Sequence, residues 1–292
     1  MERFEAHLSG SALAPATVVN YIADLRAFLR WSEERNHGDG SPLILDIQDI
    51  QKYRSFLQDT KQNAPATINR RLQTLRKFYG FAMLEGWIKA NPAERVSLLS
   101  ENASHRSRQL DDQDVTRLLE AVRQGRPRWA VRDWAVIQVF LGAGLKLSEL
   151  TALRVSDVQM DTDQPALNIN GDLDHPSRTV PLDADVCEAL QTYLSERQAD
   201  SGVEHLFVNR DGRPLSTRSV QRLLRHYARA AELDGLTTQA LRYVYARNIL
   251  ERSGDLKEVT ELLGHRHVAT TIRYLRPSSP QGNNNADNLT ES

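Results

Sequence analysis

Four arginines recur at positions 218, 222, 225 and 229, within STRSVQRLLRHYARAAEL. The spacings of 4, 3 and 4 put Arg218, Arg222, Arg225 and Arg229 on one helical face, while Val220, Leu223, Leu224 and Tyr227 can pack inward. No acid interrupts the row. Like charges stacked one turn apart repel, and a polyanion such as DNA or RNA relieves the repulsion and releases counterions. A solvated face is the alternative. A smaller cluster, Arg70, Arg71, Arg76 and Lys77, occupies another helical pattern, and alone it favours a solvated face. The stretch 237–276 places Arg242 in a helix, His265 just past Leu263-Gly264, and Tyr274 nine residues later. Singly these fit a core salt bridge, a helix C-terminal cap and a half-buried phenol. Their spacing alone does not make a catalytic site.

Together they carry a likeness. LR followed by a helix, then ELLGH, then TT and a tyrosine, resembles the C-terminal signature of the tyrosine recombinases, the phage-integrase family. FLGAGLKLSELTALRVSDV (140–158) is similar to that family's first catalytic box, and RTVPL (178–182) to the second strand of its β-hairpin. PATVVNYIADLRAFLRW and PATINRRLQTLRKFYGFA resemble its N-terminal core-binding helices. The likeness covers about residues 10–277, and the overall length is close to Xer-type and transposon-associated members.

The resemblance implies a tyrosine that attacks a DNA phosphodiester, forms a 3′-phosphotyrosyl link and releases a 5′-hydroxyl, with no metal and no cofactor. Phenol has a pKa near ~10, so its proton must be taken up elsewhere. Charge on the phosphate oxygens calls for fixed donors, ideally two arginine forks, and the departing oxygen needs an acid. Carried over by position, Tyr274 matches the nucleophile, Arg242 the second arginine and His265 the second histidine. Glu149 matches the acid that supports the first arginine.

Three positions depart. Lys146 stands where the first arginine is expected, and Gln239 where the first histidine is. The hairpin GDLDHPS has no lysine and carries Asp172 and Asp174 instead. Lysine keeps the charge but loses the bidentate geometry. Loss of one preorganised donor typically costs ~10²–10³ in rate, and loss of a general acid ~10²–10⁴. Lys146 supplying charge and a proton, with His175 as a replacement acid, would be a partial rescue. Two readings follow: a recombinase or integrase that cleaves through Tyr274 at impaired speed, or a recombinase-derived DNA-binding accessory or regulatory protein without cleavage. A helical interaction scaffold with no DNA role is a third.

These groups must be held by an ordinary folded chain. The 292 residues allow one large or two modest domains. The 40% apolar and 26% charged fractions fit a protein with a real core, and no apolar run suits a membrane helix. The start lacks a signal peptide's apolar stretch, and the single cysteine, Cys187, excludes an internal disulfide and reads as a small buried apolar residue. The expected compartment is therefore the cytoplasm. Net charge is −1, which does not by itself predict nucleic-acid binding; of 37 basic residues only six are lysine, so 31 are arginine.

Periodicity predicts helices over 14–35 (with Thr17 in the capping region), 47–60 and about 64–85, so that 1–95 form a bundle of four or so. A helix opens at Asp111 or Asp112, a helix pair fills 128–154, ALNING and RTVPL form a short β region, and helices resume at 183–199, 215–232, 237–253 and 255–263. The fold class is mainly α with a small β-sheet (α+β). The resemblance makes it a two-domain DNA clamp: a helical core-binding, SAM-like domain (1–97), a linker (98–109), a recombinase-type catalytic domain (110–277) and a disordered tail (278–292). Double-stranded DNA is the expected partner, with a homo-oligomer on DNA or a partner recombinase subunit beside it and no membrane.

Overall fold

In the computed structural model of the chain, the residues described are 1–11, 13, 15–35, 41–100, 109–125, 129–171 and 175–275. The expected tail, most of the expected linker, and Asp172 and Asp174 lie outside them. The chain divides into two compact units, residues 1–105 and 106–292, each with its own hydrophobic core. Among the described residues no helix is long and apolar enough to cross a membrane.

The first unit contains α1 (Glu2–Ser9), α2 (Pro15–Arg35), α3 (Ile47–Ser55) and α4 (Pro65–Leu84). Thr17 falls in the first turn of α2. The helix already begins at Pro15, because proline's fixed φ suits a first helical position and its missing N–H is not needed there. The expected single helix over 47–60 is α3 followed by a π-turn, Phe56–Thr60, in which the Lys61 N–H donates to the Phe56 carbonyl. Asp46 and Asp49 form a reciprocal cap at the start of α3. Phe28 and Tyr53 meet edge to face at 5.0 Å in the core, with Phe4, Leu72 and Tyr79 fully buried around them. α1, which the sequence pattern did not reveal, is held there by Phe4 and Leu8.

The second unit is built around α6 (Ala130–Ala143), in which six successive residues, Ala135–Phe140, are buried. It packs against α8 (Ala184–Glu196) and α10 (Thr238–Ser253), with α5 (Asp112–Arg123) alongside. Asp111, one of the two predicted caps, accepts from the Asp114 N–H. The short α7 (Leu147–Ala152) leads to a three-stranded antiparallel sheet of order β1 (Val158–Gln159), β2 (Ala166–Ile169), β3 (Arg178–Pro181). Leu167 pairs with Val180 and Ile169 with Arg178. The two-residue β1 is too short to leave an alternation signal in the sequence. α9 (Thr217–Ala230), α11 (Leu256–Leu263) and α12 (Val268–Leu275) complete the unit. Cys187 is half-buried on α8, and burial and the nearby Asp183 push its thiol pKa up.

Candidate active site

Glu149 sits one turn into α7, where its carboxylate reaches back and accepts from the Lys146 backbone N–H at 2.7 Å. The same carboxylate receives Arg178 of β3 bidentately, at 2.9 Å to each oxygen. Arg242 of α10 stands 3.7 Å away and the Lys146 ammonium 3.8 Å. Glu149, Arg178 and Arg242 are all deeply buried, with side chains 11%, 7% and 4% exposed. Burial alone would raise the Glu149 pKa. The Arg178 hydrogen bonds and charge, the Lys146 N–H and the Arg242 charge outweigh it and hold the carboxyl below its usual range. Three cationic heads thus converge on one carboxylate, so the pocket is net positive and suited to an anion.

Arg242 also clasps two helix ends. Its Nη1 donates to the Gly144 carbonyl at the end of α6, and its Nη2 to the Leu263 carbonyl at the end of α11. Both helices stop on a left-handed glycine, Gly144 at φ 57° and Gly264 at φ 66°. A Cβ on Gly264 would stand 2.8 Å from Arg178 Nη1, so the close approach also requires glycine. Arg178 Nε donates to the Leu262 carbonyl at 2.7 Å, tying β3 to the same helix end.

That turn delivers His265. Its Nε2 lies 3.5 Å from Arg242 Nη2, and its Nδ1 lies 2.9 Å from the Thr271 hydroxyl. Burial, then the charges of Arg242, Lys146, His175 and Arg178, pull the imidazole pKa down to about 4, so the ring is neutral at pH 7. Tyr274 of α12 meets the His265 ring edge-on, 5.9 Å between centroids, and the Tyr243 ring at 6.0 Å. Its hydroxyl donates to the Gln239 carbonyl at 3.0 Å. Burial raises the phenol to about 12 although Arg242 acts against the rise. As it stands, then, the phenol is a protonated group parked on a carbonyl.

The residues singled out in the sequence fall into three groups. Arg242, His265, Tyr274, Lys146 and Glu149 come together. Gln239 joins them through its main-chain carbonyl, with its side chain exposed. The N-terminal basic cluster is partly engaged within its own unit: Arg70 and Arg71 pair with buried Asp24, and Arg76 donates to the Ala93 and Val96 carbonyls. Lys77 stays exposed, its ammonium over the Tyr21 ring. On α9, Arg218, Arg222, Arg225 and Arg229 are all exposed, over a helix underside of buried Val220, Leu223, Leu224 and Tyr227. Arg222, Arg225 and Arg229 border a cavity of about 570 Å³ that Arg132 and Arg210 also line.

Sequence reasoning missed Arg178, Thr271 and Thr260. Arg178 had a readable signal, since the strand's period of two puts it in phase with buried Val180. Among the described residues no group of three His, Cys, Asp or Glu side chains is placed to hold a metal ion.

Residues 108–280 match the phage integrase family, and residues 1–86 match the phage integrase N-terminal SAM-like domain. The chain is 34% identical over 279 residues to tyrosine recombinase XerC of Chromohalobacter salexigens, covering 94% of this chain and 90% of that protein. It is 32% identical to XerC of Alcanivorax borkumensis, covering 93% and 87%. Among solved structures, a lambda integrase dimer bound to a COC′ core site superposes with a TM-score of 0.72 at 20% identity, covering 97% of this chain and 96% of that one. XerH bound to a palindromic difH substrate gives 0.72 at 20%, covering 88% and 75%. The matched family spans the second unit with its clustered arginines, histidine and tyrosine, and its SAM-like partner domain spans most of the first: the chain belongs to the phage integrase family of tyrosine recombinases.

Proposed function

We propose that the protein is a cytoplasmic, site-specific DNA recombinase that cleaves one strand through Tyr274, more slowly than a member with two arginine forks. The Tyr274 oxygen bonds to the scissile phosphorus, and the bond from phosphorus to the 5′-oxygen breaks. The DNA is left on the enzyme as a 3′-phosphotyrosyl ester with a free 5′-hydroxyl. A 5′-hydroxyl of a partner strand reverses the step. The reading rests on one observation: Arg242, His265 and Tyr274, carried by α10, the turn after α11 and α12, converge at a net-positive pocket.

Arg242 donates to the phosphate oxygens, and Lys146 supplies a second positive charge from the position of the missing fork. Arg218, Arg222, Arg225 and Arg229 contact backbone phosphates, which position the protein on duplex DNA without reading its sequence. The XerH and lambda integrase structures are DNA-bound, the latter as a dimer, and an oligomer on DNA is the expected working form here.

A second reading, DNA binding without cleavage, is favoured by Lys146 in place of the fork and by the solvent-facing Gln239 side chain. The two separate in one experiment. The protein is incubated with a pool of nicked duplexes of randomised sequence, denatured, and the DNA covalently held on it is recovered and sequenced. Cleavage yields an enriched site that disappears with Tyr274→Phe. Specific, salt-sensitive binding with no covalent product supports the second reading.

A further inference from the structure

α5, α6 and α8 border a cavity of about 440 Å³ that none of the candidate active-site groups lines. Its size falls within the ~300–1,000 Å³ range of ligand pockets. Leu119 and Val122 of α5 and Val131 and Trp134 of α6 give it apolar walls. Gln138, one turn beyond Trp134, lines it too and is 8% exposed. Among the described residues the Gln138 amide has no hydrogen-bond partner. A buried amide left unpaired is costly, and leucine or methionine would fill the same place without that cost. A visiting partner accounts for it. On the α8 side, Asp185 and Glu188 are exposed, one turn apart, and form no ion pair among the described residues. Like charges at that spacing repel. Arg123 lies with its guanidinium over the Trp134 ring, 4.7 Å from the centroid, so the described rim holds two acids against one cation.

We propose that this cavity is a docking site for a short segment of a separate protein, one that carries an apolar side chain beside a lysine or arginine. The apolar side chain enters between α5 and α6 onto Trp134. A main-chain peptide group of the segment pairs with the Gln138 amide, which donates and accepts at once. The basic residue meets Asp185 and Glu188 and relieves their repulsion. An acidic rim disfavours a polyanion, so this surface is not part of the DNA interface. The chain's own end does not fit either. Residues 277–292, PSSPQGNNNADNLTES, hold no lysine or arginine, two acids and one leucine. A second copy's end would therefore bring carboxylates to carboxylates. The docking site stands whether or not Tyr274 cleaves DNA.

The test presents the full chain, immobilised, with a displayed library of random short peptides. Enriched peptides are resynthesised with a fluorescent label and titrated by anisotropy. The expected sequences share an apolar residue beside a lysine or arginine. Gln138→Met weakens their binding by about 3- to 10-fold, the worth of one hydrogen-bonded amide. The double variant Asp185→Asn, Glu188→Gln weakens it by a similar factor and removes its salt dependence. That variant changes exposed side chains without changing their size, so it decides the matter even if Gln138→Met does not fold. Bound peptide leaves DNA affinity unchanged. No enriched peptide, enriched sequences without a cation, or affinity unchanged in the double variant overturns the proposal, as does displacement of the peptide by duplex DNA. A synthetic peptide of residues 277–292 that binds wild type and is weakened by Gln138→Met assigns the cavity to a second copy and overturns the separate partner.

Discussion

Removing the Glu149 carboxylate exposes how the site is held together. In Glu149→Ala, two guanidiniums that are 7% and 4% exposed lose their counter-charge, and Arg178 loses two 2.9 Å hydrogen bonds at once. Breaking a buried ion pair from one side costs about 3–5 kcal/mol, because the remaining charge stays in a poorly solvated place. For a unit of this size each kcal/mol lowers Tm by roughly 2–4 °C. The expected loss is therefore roughly 6–20 °C in the transition of the second unit, measured by calorimetry at neutral pH. Arg178→Met alone leaves a buried carboxylate, and the double variant is less destabilised than the sum of the singles by about 1–3 kcal/mol. The pH dependence has a fixed sign. The folded-state carboxyl is held below its unfolded value, so its contribution is complete above the unfolded pKa of about 4.3 and is lost as pH falls through the folded one. Wild-type Tm should therefore fall more steeply than Glu149→Ala on acidification below about pH 4. A Glu149→Ala loss under about 1 kcal/mol, or strict additivity with Arg178→Met, would refute the idea that this carboxylate organises the site.

Three further outcomes are expected. Lys146→Arg restores a fork and raises the rate of covalent adduct formation by at least about 10-fold, within the range one preorganised donor supplies, whereas Lys146→Met lowers it; an unchanged rate in both would remove Lys146 from the phosphate site. Arg222→Ala and Arg225→Ala each weaken DNA binding and lower the slope of log affinity against log salt by about 0.9, read by fluorescence anisotropy, and an unchanged slope would take the α9 arginines off the DNA. Gly264→Ala forces a Cβ into a left-handed turn 2.8 Å from Arg178. It should lower stability by about 1–2 kcal/mol or more, and a wild-type Tm would contradict the close packing of β3 on the end of α11.

The parts legible in the sequence are those with a long period or a distinctive residue. The 3.6-residue pattern of α2, α4, α9 and α10 located them within a few residues, and the alternation in RTVPL located β3. The two-residue β1 is too short for periodicity to separate it from loop, and α12 was not predicted although α11, equally eight residues long, was located. The site was legible as a set of residue types but not as a geometry. Arg242, His265 and Tyr274 could be named from the motif, while the grip of Arg242 on two helix ends depends on where Gly144 and Gly264 turn the chain. Arg178 matches no catalytic position of the resemblance, although its phase with buried Val180 points it inward. Arg70 and Arg71 read as a basic surface because their partner, Asp24, lies two helices away in sequence and pairing of that kind leaves no local pattern.

Tyr274, as the nucleophile, becomes covalently joined to DNA during cleavage. The captured protein–DNA product, digested with nuclease and protease and analysed by tandem mass spectrometry, should carry a 3′-linked nucleotide on the peptide containing Tyr274. A product mapped to another residue, or one that persists in Tyr274→Phe, would contradict it.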